Sequence, residues 1–232
     1  MCLRAPSSDR ESLEVVPRPH SPLTRAIRRL ARATILRLSI RLFPRERIEG
    51  VELAYLLMDD EWRSLFMTKV GRSLELIRTF DACRFERIRR QLDRIALVPR
   101  GGEYVDTAIR TYFMDVPTLS GRDDAYLATK IVHESTHIRI AACGIRTTER
   151  NRSRVEHICI NQQLAFAARL PSPQRDEVSA LVEAAAATRW WETESGADRI
   201  LEQIEAYGAP KMLISWARRL SGRDRRSEET AR

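Results

Sequence analysis

Two histidines and a glutamate lie close together in the middle of this chain. Their order is His133-Glu134-Ser135-Thr136-His137, inside a mainly apolar run. On an α-helix, residues four apart share a face, so the imidazoles of His133 and His137 can converge on one metal ion. Glu134 points about 100° further round the helix, where it can reach a water on the metal without binding the metal. We therefore predict a metal site in which the histidines are ligands and Glu134 is the general base.

A catalytic zinc ion needs a third protein ligand if its fourth position is to stay open to water. Glu156 is the first choice, because a carboxylate among the apolar residues of a predicted helix needs a partner. Glu149, in the Arg-rich connection before that helix, and His157, next to Glu156, remain alternatives. Cys143 is a weaker option, since it lies about 9 Å along the helix axis from His137.

The His-Glu-x-x-His motif with a glutamate on a following helix resembles the zinc metallopeptidases of the zincin group, and most closely the gluzincin branch. The likeness covers roughly residues 95–170. The metzincin extension requires glycine and histidine where this chain has Ile140 and Cys143. The aspzincin pattern requires an aspartate, and there is none between His137 and Glu156.

This resemblance implies a zinc-dependent peptide hydrolase that holds one Zn²⁺ per chain. His133, His137 and Glu156 would bind the ion, which would activate a water for attack on a peptide carbonyl. Glu134 would take the proton from that water and pass it to the leaving amine. A peptide or protein substrate is the expected partner.

Two parts of such a site are left open. Zincins usually add a residue that stabilises the developing oxyanion, and four residues could serve: Tyr112, Tyr126, His157 and Tyr207. Thermolysin-like members carry an aspartate, four residues after the ligand glutamate, that orients a zinc-binding histidine. This chain has Ile160 there, so the partner must come from elsewhere, with Asp115, Asn161 and Asp198 as candidates.

Composition limits the functions that the chain can have. Its 232 residues are 43% hydrophobic and 31% charged, enough for one domain with a substantial core. The net charge is +8, but only three of the 40 basic residues are lysine. That skew towards arginine is typical of a GC-rich genome, and no nucleic-acid-binding pattern accompanies the charge, so we expect no nucleic-acid partner.

The N-terminal part of the chain raises the question of location. Residues 23–43 place apolar residues at helical spacing with arginines between them, which predicts a basic amphipathic helix. Such a helix either packs on the domain or makes peripheral contact with a membrane surface. There is no signal peptide, no membrane-spanning run and no C-x-x-C pair among the four cysteines. We expect a cytoplasmic protein.

The predicted fold class is α+β, mainly helical and zincin-like. A small sheet of short strands at about 95–115 precedes the metal-binding helix, and residues 49–98 otherwise look helical. A loop is expected at Pro117–Gly121. Further helices are expected at about 123–143, from Asn151 or Ser153 to about Arg169, and at 173–190, 194–207 and 210–220.

These elements divide the chain into four parts. Residues 1–22 form a disordered lead-in, 23–48 the basic amphipathic helix, 49–221 the metallopeptidase domain and 222–232 a charged tail. The alternative function is a zincin-like binding or regulatory module without catalysis. The presence of Glu134 favours catalysis, because a purely structural zinc site has no need of a base.

Overall fold

The computed structural model describes residues 44–55, 59–98, 102–189 and 191. Strands and helices follow one another along the chain as β1 (Arg45–Ile48), β2 (Val51–Tyr55), α1 (Asp60–Phe80), α2 (Ala82–Gln91), β3 (Arg94–Val98), β4 (Tyr104–Asp106), β5 (Thr111–Asp115), α3 (Val116–Gly121), α4 (Asp124–Ala142), α5 (Arg152–Ala167) and α6 (Gln174–Ala187). This is a mixed α+β fold with more helix than strand, as predicted.

The five strands form one sheet in the order β1-β2-β3-β5-β4. The three inner strands β2, β3 and β5 run parallel, and β1 and β4 pair antiparallel at the two edges. Strands β3 and β5 are buried along almost their whole length. Their continuous apolar sequences suit parallel strands that are covered on both faces.

Two strands lie where the sequence predicted helix. Strand β2 (Val51–Tyr55) falls within the region 49–98, and β1 (Arg45–Ile48) takes the last residues of the range 23–48. A two-residue turn with positive φ at Glu49 and Gly50 joins them, which is the usual geometry of a tight hairpin. A short apolar run fits a buried strand as well as a buried helix, so periodicity alone could not decide.

The predicted loop at Pro117–Gly121 is instead the short helix α3. Asp115 caps it by accepting a hydrogen bond from the backbone N–H of Thr118, and Pro117 occupies the first turn. Proline fits there because the first N–H groups of a helix have no partner within the helix. The predicted loop was wrong because Pro117 begins a helix here and does not interrupt one.

Helix α4 is the central element of the fold. Asp123 caps its start by accepting from the N–H of Tyr126, and Gly144, with φ of 81°, follows its end, as predicted. It packs against α1 on one side and α5 on the other, and Leu127, Ile131 and Val132 belong to the main hydrophobic core. Few of its residues reach solvent, so its polar residues are held inside the protein.

Several predicted segments lie outside the described residues: 1–22, 23–43, 194–207, 210–220 and 222–232. Within the described part of the chain, no helix has both the length and the apolar composition needed to cross a membrane.

Candidate metal centre

Helices α4 and α5 pack side by side and bring three nitrogen and oxygen atoms together. The Nε2 atoms of His133 and His137 are 3.2 Å apart. The Oε2 atom of Glu156 lies 3.4 Å from the first and 3.5 Å from the second. Zinc bonds of 2.0–2.2 Å to nitrogen and oxygen in a tetrahedron require ligand atoms about 3.3–3.5 Å apart. The triangle thus has the size of one face of a tetrahedral zinc site.

The carboxylate of Glu156 has a polar atom that the described residues leave unsatisfied. Its Oε2 is buried and accepts no hydrogen bond from them, although two imidazole nitrogens face it. Burial works to raise the pKa of Glu156, but the close approach of both imidazoles outweighs it and holds the pKa well below its usual value. A buried, ionised oxygen beside two ring nitrogens fits a bound cation.

A chain of hydrogen bonds determines which nitrogen of His133 carries the proton. The hydroxyl of Thr129 donates to the backbone carbonyl of Tyr126, 2.7 Å away, which can only accept. The Thr129 oxygen is then free to accept from the amide N–H of Gln163 at 3.1 Å. The Gln163 carbonyl oxygen must therefore face Nδ1 of His133, at 3.0 Å, and accept from it. This leaves a lone pair on Nε2 of His133, directed at the proposed ligand triangle.

His137 has a different neighbour on α5. One ring nitrogen of His137 lies within 4.8 Å of the sulfur of Cys159, which is fully buried. Burial works to lower the pKa of His137, but the neighbouring thiol of Cys159 and the carboxylates of Glu156 and Glu134 raise it well above its ordinary value. These groups give the centre a negative electrostatic potential, which favours a bound cation.

Cys159 also belongs to the centre by position. One donor atom each from His133, His137 and Cys159 lie within 4.8 Å of one another, a separation from which small side-chain shifts can form a metal site. Cys159 follows Glu156 by three residues, so the two side chains project from the same face of α5. Cys143, the cysteine that the sequence offered as a weaker option, is exposed at the end of α4.

The remaining motif residue, Glu134, is buried beside the two histidines and is held by a lysine one turn earlier. Its Oε1 lies 3.4 Å from Nζ of Lys130, whose ammonium is also 3.3 Å from Oε2 of Glu103. Tyr112 donates a hydrogen bond to the other oxygen of Glu103. Burial works to raise the pKa of Glu134, but Lys130, then His133, attract the carboxylate and lower the pKa overall. Glu134 is therefore ionised, as a proton acceptor must be.

The alternative third ligands lie away from the centre. Glu149 is exposed in the connection between α4 and α5. His157 is exposed as well; its Nδ1 lies 2.6 Å from the backbone oxygen of Ser153, and its ring meets the indole of Trp191 edge to face. Among the three predicted candidates, only Glu156 approaches both histidines.

The proposed oxyanion-stabilising residues are dispersed. Tyr112 is fully buried and donates to Glu103, and Tyr126 lies under the guanidinium of Arg122 at 4.9 Å from its ring centre. His157 is exposed, and Tyr207 lies outside the described residues. None of the three described candidates is positioned by a contact with the ligand triangle.

The predicted hydrogen-bond partners of the two histidines are not the observed ones. Asp115 accepts from the backbone N–H groups of Thr118 and Gly102, Asn161 is exposed, and Asp198 lies outside the described residues. The observed partner of His133, Gln163, was missed. Its spacing of seven residues from Glu156, two helical turns, was the signal that could have indicated it.

Comparison with known proteins adds no family. No known protein family, curated protein or solved structure that was compared with this chain matches it.

Proposed function

We propose that this protein is a zinc-dependent peptide hydrolase with a zincin-like fold, of gluzincin type. The observation that carries the proposal is the triangle of His133, His137 and Glu156, with sides of 3.2, 3.4 and 3.5 Å. Two imidazoles and one carboxylate are the ligand set of several catalytic zinc sites, in which the fourth position holds water or substrate.

The residues present fit zinc better than a hard cation. Magnesium and calcium prefer six or more oxygen ligands, whereas this centre offers two ring nitrogens, the carboxylate of Glu156 and a neighbouring thiol. The Gln163 hydrogen bond also directs the Nε2 lone pair of His133 inwards, as zinc requires. When bound, zinc acts as a Lewis acid that lowers the pKa of a coordinated water to about 7 and polarises a carbonyl.

Glu134 acts as the general base and then as the general acid. Its Oε1 is engaged by Lys130, so the other oxygen is the one that takes a proton from water and delivers it to the leaving amine. Lys130 is in turn held by Glu103, which fixes the direction of the carboxylate. The burial of Glu134 strengthens these interactions, because few water molecules screen them.

Metal analysis and activity together test this proposal. Purified protein is expected to contain about one zinc per chain, and His137→Ala is expected to lose it. Glu134→Gln is expected to keep zinc and lose hydrolysis of a mixed peptide library or unfolded protein. Near-full zinc in His137→Ala contradicts the ligand assignment, and normal hydrolysis by Glu134→Gln contradicts the assignment of the base.

The second candidate is a zinc-binding module without catalysis. The observation in its favour is Cys159, since four protein ligands are typical of structural zinc sites. Under this alternative, wild-type protein holds about one zinc per chain and cleaves no peptide, and Glu134→Gln has no measurable consequence.

Cytoplasmic location and membrane contact through residues 23–43 remain proposals. Cell fractionation tests the first, and liposome binding tests the second.

A further inference from the structure

The buried thiol of Cys159 has no evident role in a centre that already has three ligands. It is fully buried, whereas Cys83 and Cys143 are exposed. Its sulfur lies within 4.8 Å of a ring nitrogen on each of His133 and His137. Buried cysteine in apolar surroundings is common. A cysteine beside two converging imidazoles can also bind a metal ion, because thiolate is a strong zinc ligand.

The thiol is close enough to bind the same ion as the histidines. A tetrahedral zinc with bonds of 2.3 Å to sulfur and 2.0–2.1 Å to nitrogen needs about 3.5 Å between those atoms. The observed limit of 4.8 Å therefore leaves at most about 1.3 Å to close. Glu156 and Cys159 are three residues apart, so both side chains project from the face of α5 that meets the histidines.

We propose that Cys159 is a fourth protein ligand, so that the resting centre is closed by two histidines, one glutamate and one cysteine. The thiol gives up its proton to solvent as the sulfur binds, which is the usual course when cysteine ligates zinc. A water can enter the fourth position only when the sulfur leaves and takes a proton back. Soft thiolate also makes the centre selective for zinc over magnesium, calcium or manganese.

This inference rests on the proposed metal site, and it adds regulation to the proposed peptidase. With Cys159 bound, no position is open for the water that Glu134 must deprotonate. The protein is then a latent hydrolase, and removal of the thiol opens it. Cys159→Ala is therefore expected to hydrolyse peptides faster than wild type, whereas loss of an ordinary core residue lowers activity.

Cobalt(II) substitution of the full-length protein tests the ligand directly. Cobalt(II) occupies tetrahedral zinc sites, and a bound thiolate adds an intense sulfur-to-metal charge-transfer band in the near ultraviolet. The wild-type protein and the matched control Cys143→Ala are expected to show this band. Cys159→Ala is expected to bind one cobalt ion through the remaining ligands and to lose the band. Cys159→Ser, which keeps the volume and the polar atom, serves if the alanine variant does not fold.

The outcomes separate this inference from the proposed function. If wild-type protein binds one cobalt ion without a charge-transfer band, and His137→Ala loses that ion, the role of Cys159 is overturned and the three-ligand site remains. A band that persists in Cys159→Ala or Cys159→Ser also overturns it. Wild-type protein that binds no cobalt or zinc at this site overturns both proposals. A band without peptidase activity, even in Cys159→Ala, supports the fourth ligand and contradicts the hydrolase.

Discussion

Replacing Gln163 with methionine tests whether the hydrogen-bond chain behind His133 holds the metal centre together. The amide of Gln163 accepts from Nδ1 of His133 at 3.0 Å and donates to the hydroxyl of Thr129 at 3.1 Å. Both Gln163 and His133 are buried, at 4% and 3% exposure, so water cannot replace the lost partner. Methionine has a similar volume, and it neither accepts nor donates a comparable hydrogen bond.

The expected loss of zinc affinity follows from the Nδ1–H group of His133, which is left without an acceptor. A buried donor left without a partner costs about 1–3 kcal/mol. In the Gln163→Met variant, the imidazole of His133 can avoid that cost by moving its proton to Nε2, the atom that zinc needs. Metal binding must then reverse the move, so the cost falls on metal affinity. With 1.4 kcal/mol per factor of ten, the zinc dissociation constant rises about 10- to 100-fold, the range usual for partners of metal-binding histidines.

Competition with a chromophoric chelator measures this change at fixed pH and ionic strength. Gln162→Met is the matched control, because its side chain contacts Arg84 and the substitution keeps the backbone oxygen to which Arg84 also donates. Thr129→Val is expected to weaken zinc binding less than Gln163→Met, and to have no further effect in the Gln163→Met background. A zinc dissociation constant for Gln163→Met within about twofold of that of Gln162→Met refutes the argument from the tautomer.

Three further perturbations have defined outcomes. Glu156→Gln is expected to lower the zinc content, measured by atomic emission, to a small fraction of that in Glu149→Gln, because glutamine at 156 removes the anionic ligand. Lys130→Met is expected to keep zinc and to lower kcat for any peptide substrate about tenfold or more, with Lys130→Arg partly restoring it, since Lys130 holds the general base. Asp81→Asn is expected to lower the free energy of unfolding in urea by about 3 kcal/mol near pH 7, because it leaves the buried guanidinium of Arg84 without its counter-ion. Burial works to raise the pKa of Asp81, but hydrogen bonds from Arg84 and attraction to Arg84 and Arg169 lower it overall. The stability that Asp81 contributes in the wild type is therefore complete above pH about 4 and is lost as the pH falls through the folded pKa. Asp81→Asn is expected to lack that acid dependence.

The part of the proposed metal centre whose geometry could be predicted depends on one helix. The spacing of His133 and His137 fixes their separation on any α-helix, whatever surrounds it, so local geometry was sufficient to pair them. Glu156 required a different argument, namely that a carboxylate in an apolar helix needs a partner. That argument could select a residue, but it could not give the distance or direction of approach, which depend on how α4 and α5 pack.

The other half depends on tertiary structure and could not be predicted. Gln163 is an uncharged residue with no motif, and its role follows only from the approach of α5 to Thr129 on α4. Glu103 reaches Lys130 from the chain just before β4, so its part in holding Glu134 depends on the sheet. Strand β2 was missed for a related reason: four of its five residues are apolar and favour burial, and only pairing with β3 decides the backbone conformation.

The face that α5 presents to α4 carries three different roles in the proposed centre. Glu156, Cys159 and Gln163 follow one another at three and four residues, so each lies on that face: two proposed ligands and the partner of His133. A rotation of α5 by one residue, about 100°, would remove all three together. The rotation is held at the neighbouring position Gln162, where the guanidinium of Arg84 donates to the backbone oxygen at 3.0 Å and pairs with Asp81.

The ion pair of Asp81 and Arg84 is therefore remote from the metal and still bears on it. The guanidinium of Arg84 pairs with Asp81 and also donates to a backbone oxygen of α5, so loss of Asp81 removes the counter-ion that keeps it against α5. Asp81→Asn is expected to weaken zinc binding as well as folding, by a factor smaller than Gln163→Met because the hydrogen bond from His133 to Gln163 is kept. If Asp81→Asn lowers the unfolding free energy and leaves the zinc dissociation constant unchanged, then the packing of Val155 and Cys159 on Ile140, and not this ion pair, sets the rotation of α5.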